Sequence, residues 1–295
     1  MTESSASRVG LAAALAATFF FGVNTIAAKL AADAGAPGAF VVLCRTFALF
    51  VLLALVLPVL RWSVAIAPPS RPAMAAMMAT SAGMGICYMS SVTYIPVTVA
   101  AVIFYTYPAL IVLGGPLVTG RPLERRELVV SFVAFAGIVL VVGPTFGSLD
   151  PRGLAFALSA SAFTAAQFFA AGRIAHESVV AKLFWVQVGV LPVAAIVAYA
   201  SLDLSPATVL AAAPGAMTMT IGCYVAGSIG MLIALSRLRP AAAALVFCLE
   251  PVISAAASAA WLGERMTAVQ YAGGALVIAA VAATALAPLR QPKFA

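Results

Sequence analysis

Charge is scarce in this sequence. Asp, Glu, Lys and Arg make up 8% of its 295 residues, where soluble domains carry about 25%; that shortfall excludes a water-soluble fold. Histidine is scarcer still: His176 is the only one, beside Glu177 in a polar segment that reads as solvated loop. The cysteines Cys44, Cys87, Cys223 and Cys248 each lie inside an apolar run at no metal-ligand or redox spacing, so they read as small buried hydrophobes. No phosphate-binding loop, zinc-protease motif or nucleophile elbow occurs. Enzyme chemistry, a metal site and a resident cofactor therefore have little to be built from, and none is expected. Basic residues outnumber acidic ones by 16 to 9. A nucleic-acid binder would gather that excess on one face or arm; here it is scattered between long uncharged runs, which argues against nucleic acid as a partner.

What the chain has is apolar length, 64% of it hydrophobic. A helix crossing the ~30 Å hydrocarbon core needs about 20 apolar residues. Runs free of Asp, Glu, Lys and Arg cover 9–28, 72–120, 128–149, 153–172, 183–202, 204–236 and 266–289. The run 72–120 is long enough for two spans and breaks at Tyr94-Ile95-Pro96; 34–60 is interrupted only by Arg45, and 240–262 only by Glu250. This predicts an all-α polytopic membrane protein of ten transmembrane helices, at 9–31, 38–60, 72–93, 97–118, 127–143, 153–173, 181–200, 213–236, 240–262 and 267–288. The first run also fits a signal peptide, but Asn24 and Lys29 follow it without a convincing cleavage site, and it exceeds the usual h-region of about 7–15 residues. It is read as a span. With the N-terminus inside, twelve Lys and Arg fall on the inner side and three (Lys29, Arg152 and Arg265) outside. That bias predicts two cytoplasmic termini in a cell membrane, a bacterial inner membrane, with the loops around 145–152 and 201–212 outside.

The two halves echo each other at an offset of 143 residues: Gly10-Leu11-Ala12-Ala13-Ala14-Leu15 meets Gly153-Leu154-Ala155-Phe156-Ala157-Leu158. At the same offset Asn24 meets Gln167, Phe104 meets Phe247, and Pro108 meets Pro251. Five spans per unit is an odd number, so the second repeat enters the membrane from the opposite side. The expected organisation is two inverted five-helix repeats, residues 1–148 and 149–295. In that architecture the substrate site lies near the midplane between the halves.

Leu238-Arg239-Pro240-Ala241-Ala242-Ala243-Ala244, Leu249-Glu250-Pro251 and Trp261-Leu262-Gly263-Glu264-Arg265 resemble the ninth-helix signature of the EamA-type branch of the drug/metabolite transporter superfamily. The first half departs from it, with Tyr107-Pro108 for Glu-Pro and Gly120-Arg121-Pro122-Leu123 for Gly-Glu-Arg-Leu. The resemblance implies an exporter of small metabolites, amino acids foremost, by alternating access, with a cavity between the first, third, fourth, sixth, eighth and ninth spans. Drugs, nucleotide sugars and cofactors are the other cargo classes it allows. A membrane enzyme on lipid or prenyl substrates is the competing class; it would want paired acidic or histidine motifs in loops that offer only Asp33, Asp150 and Asp203 singly. The expected partners are a small-molecule substrate and the lipid bilayer; oligomeric state is left open.

Few residues are available to line such a cavity. Glu250 lies about ten residues into its span, where a carboxylate by default marks a function, though a structural pair would also explain it. Asn24 and Gln167 line the cavity as a symmetric pair or hydrogen-bond between helices. Tyr88, Tyr107 and Tyr224 are further cavity candidates. Tyr105 and Tyr107, two apart, cannot share one face of a regular helix unless Pro108 unwinds the turn. Pro108 and Pro251 are helix-kink or hinge candidates that would free the carbonyls of Phe104 and Phe247. Arg45 is an intramembrane charge partner, read as carboxylate-binding, ion-paired or snorkelling. Gly222, Ala226 and Gly230 form a close-packing stripe on the eighth span, and Trp185 and Trp261 read as interfacial belt residues.

Overall fold

The structure is a computed structural model that describes residues 3–120, 122–143, 150–200, 208, 210–211, 213–263 and 265–285. Ser148 and Ser205, in the loops expected outside, lie beyond the described residues, as do Arg121 and Glu264 of the two signature stretches and the junction 148/149. Among the described residues the regular structure is entirely helical: α1 (Glu3–Asp33), α2 (Gly38–Leu60), α3 (Arg71–Tyr94), α4 (Val97–Phe104), α5 (Tyr107–Thr119), α6 (Arg125–Val142), α7 (Pro151–Arg173), α8 (Val179–Ala200), α9 (Pro214–Leu235), α10 (Pro240–Phe247), α11 (Glu250–Leu262) and α12 (Ala268–Ala285). The fourth and ninth expected spans are each a pair of shorter helices, α4 with α5 and α10 with α11.

Among the described residues seven segments are long and apolar enough to cross a membrane: α1, α2, α4 with α5, α7, α8, α9, and α10 with α11. The other three expected spans fall short for separate reasons. Thr80, Ser81, Ser90, Ser91 and Thr93 dilute α3, Arg125-Arg126-Glu127 opens α6, and α12 is brief.

In lipid, helices associate mainly through van der Waals fit, so small residues set where backbones meet. Along α1 and α9 the contacts run in opposite directions. Leu238, just beyond α9, crowds Gly10; Gly230 meets Ala13 and Ala17, Gly227 meets the Phe21 ring, and Thr220 bonds Asn24. Helices α3 and α7 repeat that antiparallel arrangement, with Tyr94 and Ile95 against Gly153, Gly83 under the Phe163 ring, and Ser81 bonded to Gln167. The contacts Gly10 to Leu238 and Gly153 to Ile95 map onto each other by the 143-residue offset, as do Gly120 and Gly263, which end α5 and α11 with φ of 67° and 68°. The stripe on α9 is therefore Gly227 and Gly230 rather than the expected run, and Gly222 has open space beside it. α2 packs on α8, and α6 on α12.

One end of the bundle is tied by polar groups that the sequence reads as loop charges. Lys182 is fully buried and donates to the Ile174 carbonyl (3.3 Å) and Ser236 Oγ (2.7 Å). Those residues cap the C-termini of α7 and α9, where helix dipoles favour a cation. His176 is exposed but hydrogen-bonded to Ser70 Oγ (3.1 Å), and Glu177 accepts from the Ala67 amide (3.2 Å), so this segment anchors the 61–70 connection instead of floating in solvent. The Trp185 indole donates to the Val64 carbonyl (2.8 Å), a tertiary tie between α8 and the 61–70 connection. Arg239, almost buried, holds Glu127 at 2.9 Å and Glu124 at 3.7 Å, joining α10 to α6. At the other end, Asp150 caps α7 by accepting from the Arg152 amide (2.8 Å), and its hydrogen bonds from Arg152 hold its carboxyl below the usual range.

Candidate functional site

The site is organised by two matched interruptions. After Phe104 the Tyr105 amide still reaches Ala101 O (2.9 Å), but the Thr106 amide tightens to Ile103 O (3.1 Å), and helix restarts at Tyr107. In the second half the Leu249 amide bonds Val246 O (3.1 Å) and helix restarts at Glu250. The hydrogen-bond ladder tightens two residues before each proline, while Thr106, Cys248 and Leu249 keep right-handed helical φ and ψ, so each pair of helices continues as one span. Pro108 and Pro251 each stand in the first turn of a new helix, where the missing N–H costs nothing and the ring preorganises φ. The Thr106 hydroxyl, hydrogen-bonded to Ile103 O (2.7 Å) and Ser161 Oγ (2.8 Å), pins the first tightened turn to α7.

Glu250 directly follows the tightened turn. It is the first residue of α11, at the end where unpaired N–H groups and the helix dipole favour a negative charge. It lies within the bundle yet keeps accessible surface, as a group facing an internal cavity does. Tyr88, Tyr105 and Tyr107 all lie within the field of the carboxylate. Around them runs a wall of rings. Phe104 lies 5.3 Å from Tyr88 and 5.5 Å from both Tyr105 and Tyr107; Tyr107 meets Phe168 at 5.5 Å, Phe168 meets Phe247 at 6.0 Å, and Phe247 meets Phe21 at 6.2 Å. Because the helix tightens at 105–106, Tyr105 and Tyr107 join one cluster, 6.1 Å apart, despite their spacing. Both tyrosines are buried, Tyr107 the more deeply, and both lie within the field of Glu250.

Arg45 of α2 turns into the bundle rather than snorkelling outward. With the Asn24 amide oriented so that both its ends are satisfied, its oxygen accepts from Arg45 Nη1 (2.8 Å) and its nitrogen donates to Thr220 Oγ1 (2.6 Å) and Thr220 O (2.9 Å). The guanidinium lies over the Tyr224 ring, 4.8 Å from its centroid, and the Tyr224 hydroxyl donates to Gln187 Oε1 (3.4 Å). Arg45 and Glu250 act on one another electrostatically. They are not an ion pair: among the described residues no carboxylate lies within 4 Å of the guanidinium. Arg45 Nε is buried without a partner.

Asn24 and Gln167 are both buried, and each bonds a hydroxyl on the helix packed against it, Gln167 Nε2 donating to Ser81 Oγ (2.7 Å). Only Asn24 goes on to touch a charge. The polar interior thus draws on α2 and α8 through Arg45 and Gln187, beyond the six spans expected to surround it. Thr220, Ser81 and Phe168 have no linear signal, since each matters through a helix distant in sequence. Tyr105 had one, the proline three residues later. The four cysteines are unpaired, and no cluster of metal-ligating side chains occurs among the described residues.

Among curated proteins none is significantly similar to the chain. Several solved chains match it; one, a crystal structure, does so with a TM-score of 0.77 at 18% identity, over 96% of this chain and 98% of that one, a likeness of fold alone. The EamA-like transporter family matches twice, over residues 8–143 and 151–286, so that both halves fit the same pattern. The chain belongs to the EamA-like transporter family, within the drug/metabolite transporter superfamily of membrane proteins.

Proposed function

We propose that this protein exports amino acids or similar small metabolites through the cavity at Glu250, by alternating access between its two halves. The observation that carries the reading is the setting of Glu250: a carboxylate at a helix start inside the bundle, beside a cluster of aromatic rings that holds Tyr88, Tyr105 and Tyr107. Carboxylate and ring faces together suit an ammonium group. No nucleotide-binding motif accompanies them, so the reading takes transport to be driven by gradients. The halves divide at 148/149 and are inverted, with both termini in the cytoplasm of a bacterial inner membrane; the exchange of α1·α9 for α3·α7 supports that division.

Counterflow in proteoliposomes with a panel of radiolabelled amino acids tests the cargo, and exchange of at least one is expected. Failure with every amino acid would remove the cargo class and leave the fold untouched. Glu250→Gln separates transport from folding: normal yield and melting with weakened exchange or an altered pH profile is the expected result. Exchange at the wild-type rate with an unchanged profile would refute the role of Glu250.

A further inference from the structure

We infer that Arg45 is an anion-binding subsite for the carboxylate of the cargo, held in register by Asn24 and Thr220 on one side and by Tyr224 and Gln187 on the other. The inference rests on the proposed cargo cavity and adds to it a second recognition point, opposite in charge to Glu250.

An arginine inside a membrane protein is costly and is normally paired or snorkelled out. Arg45 does neither. Its guanidinium has five N–H donors in a planar fork, and among the described residues its one hydrogen-bond acceptor is the neutral amide of Asn24. The Tyr224 ring covers a face of the plane but accepts nothing at its edge. Nε, buried with no partner, leaves unused the edge onto which a carboxylate docks with two parallel bonds. The protein meanwhile spends four side chains on fixing the orientation of this group. Asn24 is itself clamped by both the hydroxyl and the carbonyl of Thr220, and Tyr224 is tethered to fully buried Gln187. A cation that is preoriented, aromatic-backed and short of one planar acceptor matches a ligand carboxylate. A structural ion pair with Glu250 would instead bring the two within contact distance.

Asn24, Thr220, Tyr224 and Gln187 are positioning residues, because they act through Arg45. Gln187 stands within one residue of the repeat-equivalent place of Arg45. The cation is therefore present in one half only, and the cavity is polar along a fixed direction. A zwitterion with adjacent ammonium and carboxylate groups would bind in one orientation.

The test uses three probes that share a ring and differ in charge: phenylacetate, phenethylamine and phenylalanine. Thermal unfolding of the full-length protein in detergent is followed with each. Phenylacetate is expected to raise the melting temperature of the wild type. Arg45→Gln should weaken its binding by about ten- to a hundredfold, the range for losing a charge-assisted hydrogen bond, while phenethylamine still binds. Should Arg45→Gln fail to fold, Thr220→Val decides the matter. It should lower the phenylacetate-to-phenethylamine affinity ratio, and Thr220→Ser, which keeps the hydroxyl, should restore it. Phenylacetate binding that is absent from the wild type, or that is equal in Arg45→Gln, overturns the subsite; so does an unchanged affinity ratio in Thr220→Val. Failure of phenethylamine alone counts against Glu250 as the ammonium site and leaves the Arg45 assignment standing.

Discussion

Helices α6 and α12 touch at glycine against glycine, and adding one methyl there should loosen the contact measurably. A Cβ on Gly273 would lie 2.6 Å from Gly137 O, 2.7 Å from Leu140 Cβ and 2.9 Å from the Val141 amide nitrogen. All three are atoms that no rotamer can move. Comfortable contact between such atoms is about 3.5–4.0 Å, so the helices must part by roughly 1 Å. The Gln270 Nε2 bond to Val141 O (3.1 Å) and the Arg126 bond to Ala283 O (2.6 Å) would stretch with them. Overpacking of this kind costs about 1–3 kcal/mol. Alanine in place of glycine returns about 0.8–1.0 kcal/mol through helix propensity, which would blur a single measurement. The next residue removes that ambiguity: a Cβ on Gly274 meets only Val252 Cγ1, at 3.4 Å. Gly274→Ala should therefore be neutral or slightly stabilised, and Gly273→Ala should lie about 1–3 kcal/mol below it. Denaturation by SDS in mixed micelles, read by tryptophan fluorescence, measures the difference. Equal stabilities for the two variants would refute the close approach of α6 and α12.

Gly22→Ala should impair transport more than stability, because its Cβ would press on Ile253 (2.6 Å) and on the Glu250 carbonyl (3.2 Å), displacing the start of α11; a wild-type KM in counterflow would contradict this. Glu127→Gln should destabilise the protein by about 1–3 kcal/mol, between the worth of an exposed ion pair and the cost of breaking a buried one, since Arg239 then keeps only Glu124 at 3.7 Å; the same SDS titration checks it, and an unchanged midpoint would show the pair to be idle. In a background lacking the four native cysteines, a cysteine at Ser178 should react with an impermeant maleimide only in inside-out vesicles, and those at Ser148 and Ser205 only from outside; the reverse pattern would invert the topology.

The candidate site was legible in the sequence by residue type and depth, not by connection. Glu250 and Arg45 stood out because a charge inside an apolar run is conspicuous in any single sequence. What each one faces was not available, because the partners come from helices far apart in the chain: Thr220 lies 196 residues from Asn24, and Ser81 lies 86 from Gln167. The prolines marked the places where the ladder tightens, but not its form. A kinked helix and a helix restarted with proline in its first turn share one sequence, and only the backbone path tells them apart.

By itself the sequence determined that the chain is helical and apolar, that its halves repeat at 143 residues, and that few charges lie within the spans. Composition and periodicity suffice for these, since lipid leaves a chain with so few charges little choice but helices that satisfy their own hydrogen bonds. The tertiary structure decided the rest: that Tyr105 and Tyr107 share one aromatic cluster, that Lys182 is buried at two helix ends, and that Arg45 is oriented by Asn24 without being neutralised. Each of these depends on which helix packs against which, and in what register. That choice rests on backbone approach at small residues such as Gly10, Gly83, Gly227 and Gly273, in a chain where glycine and alanine are too common for any one of them to announce its role.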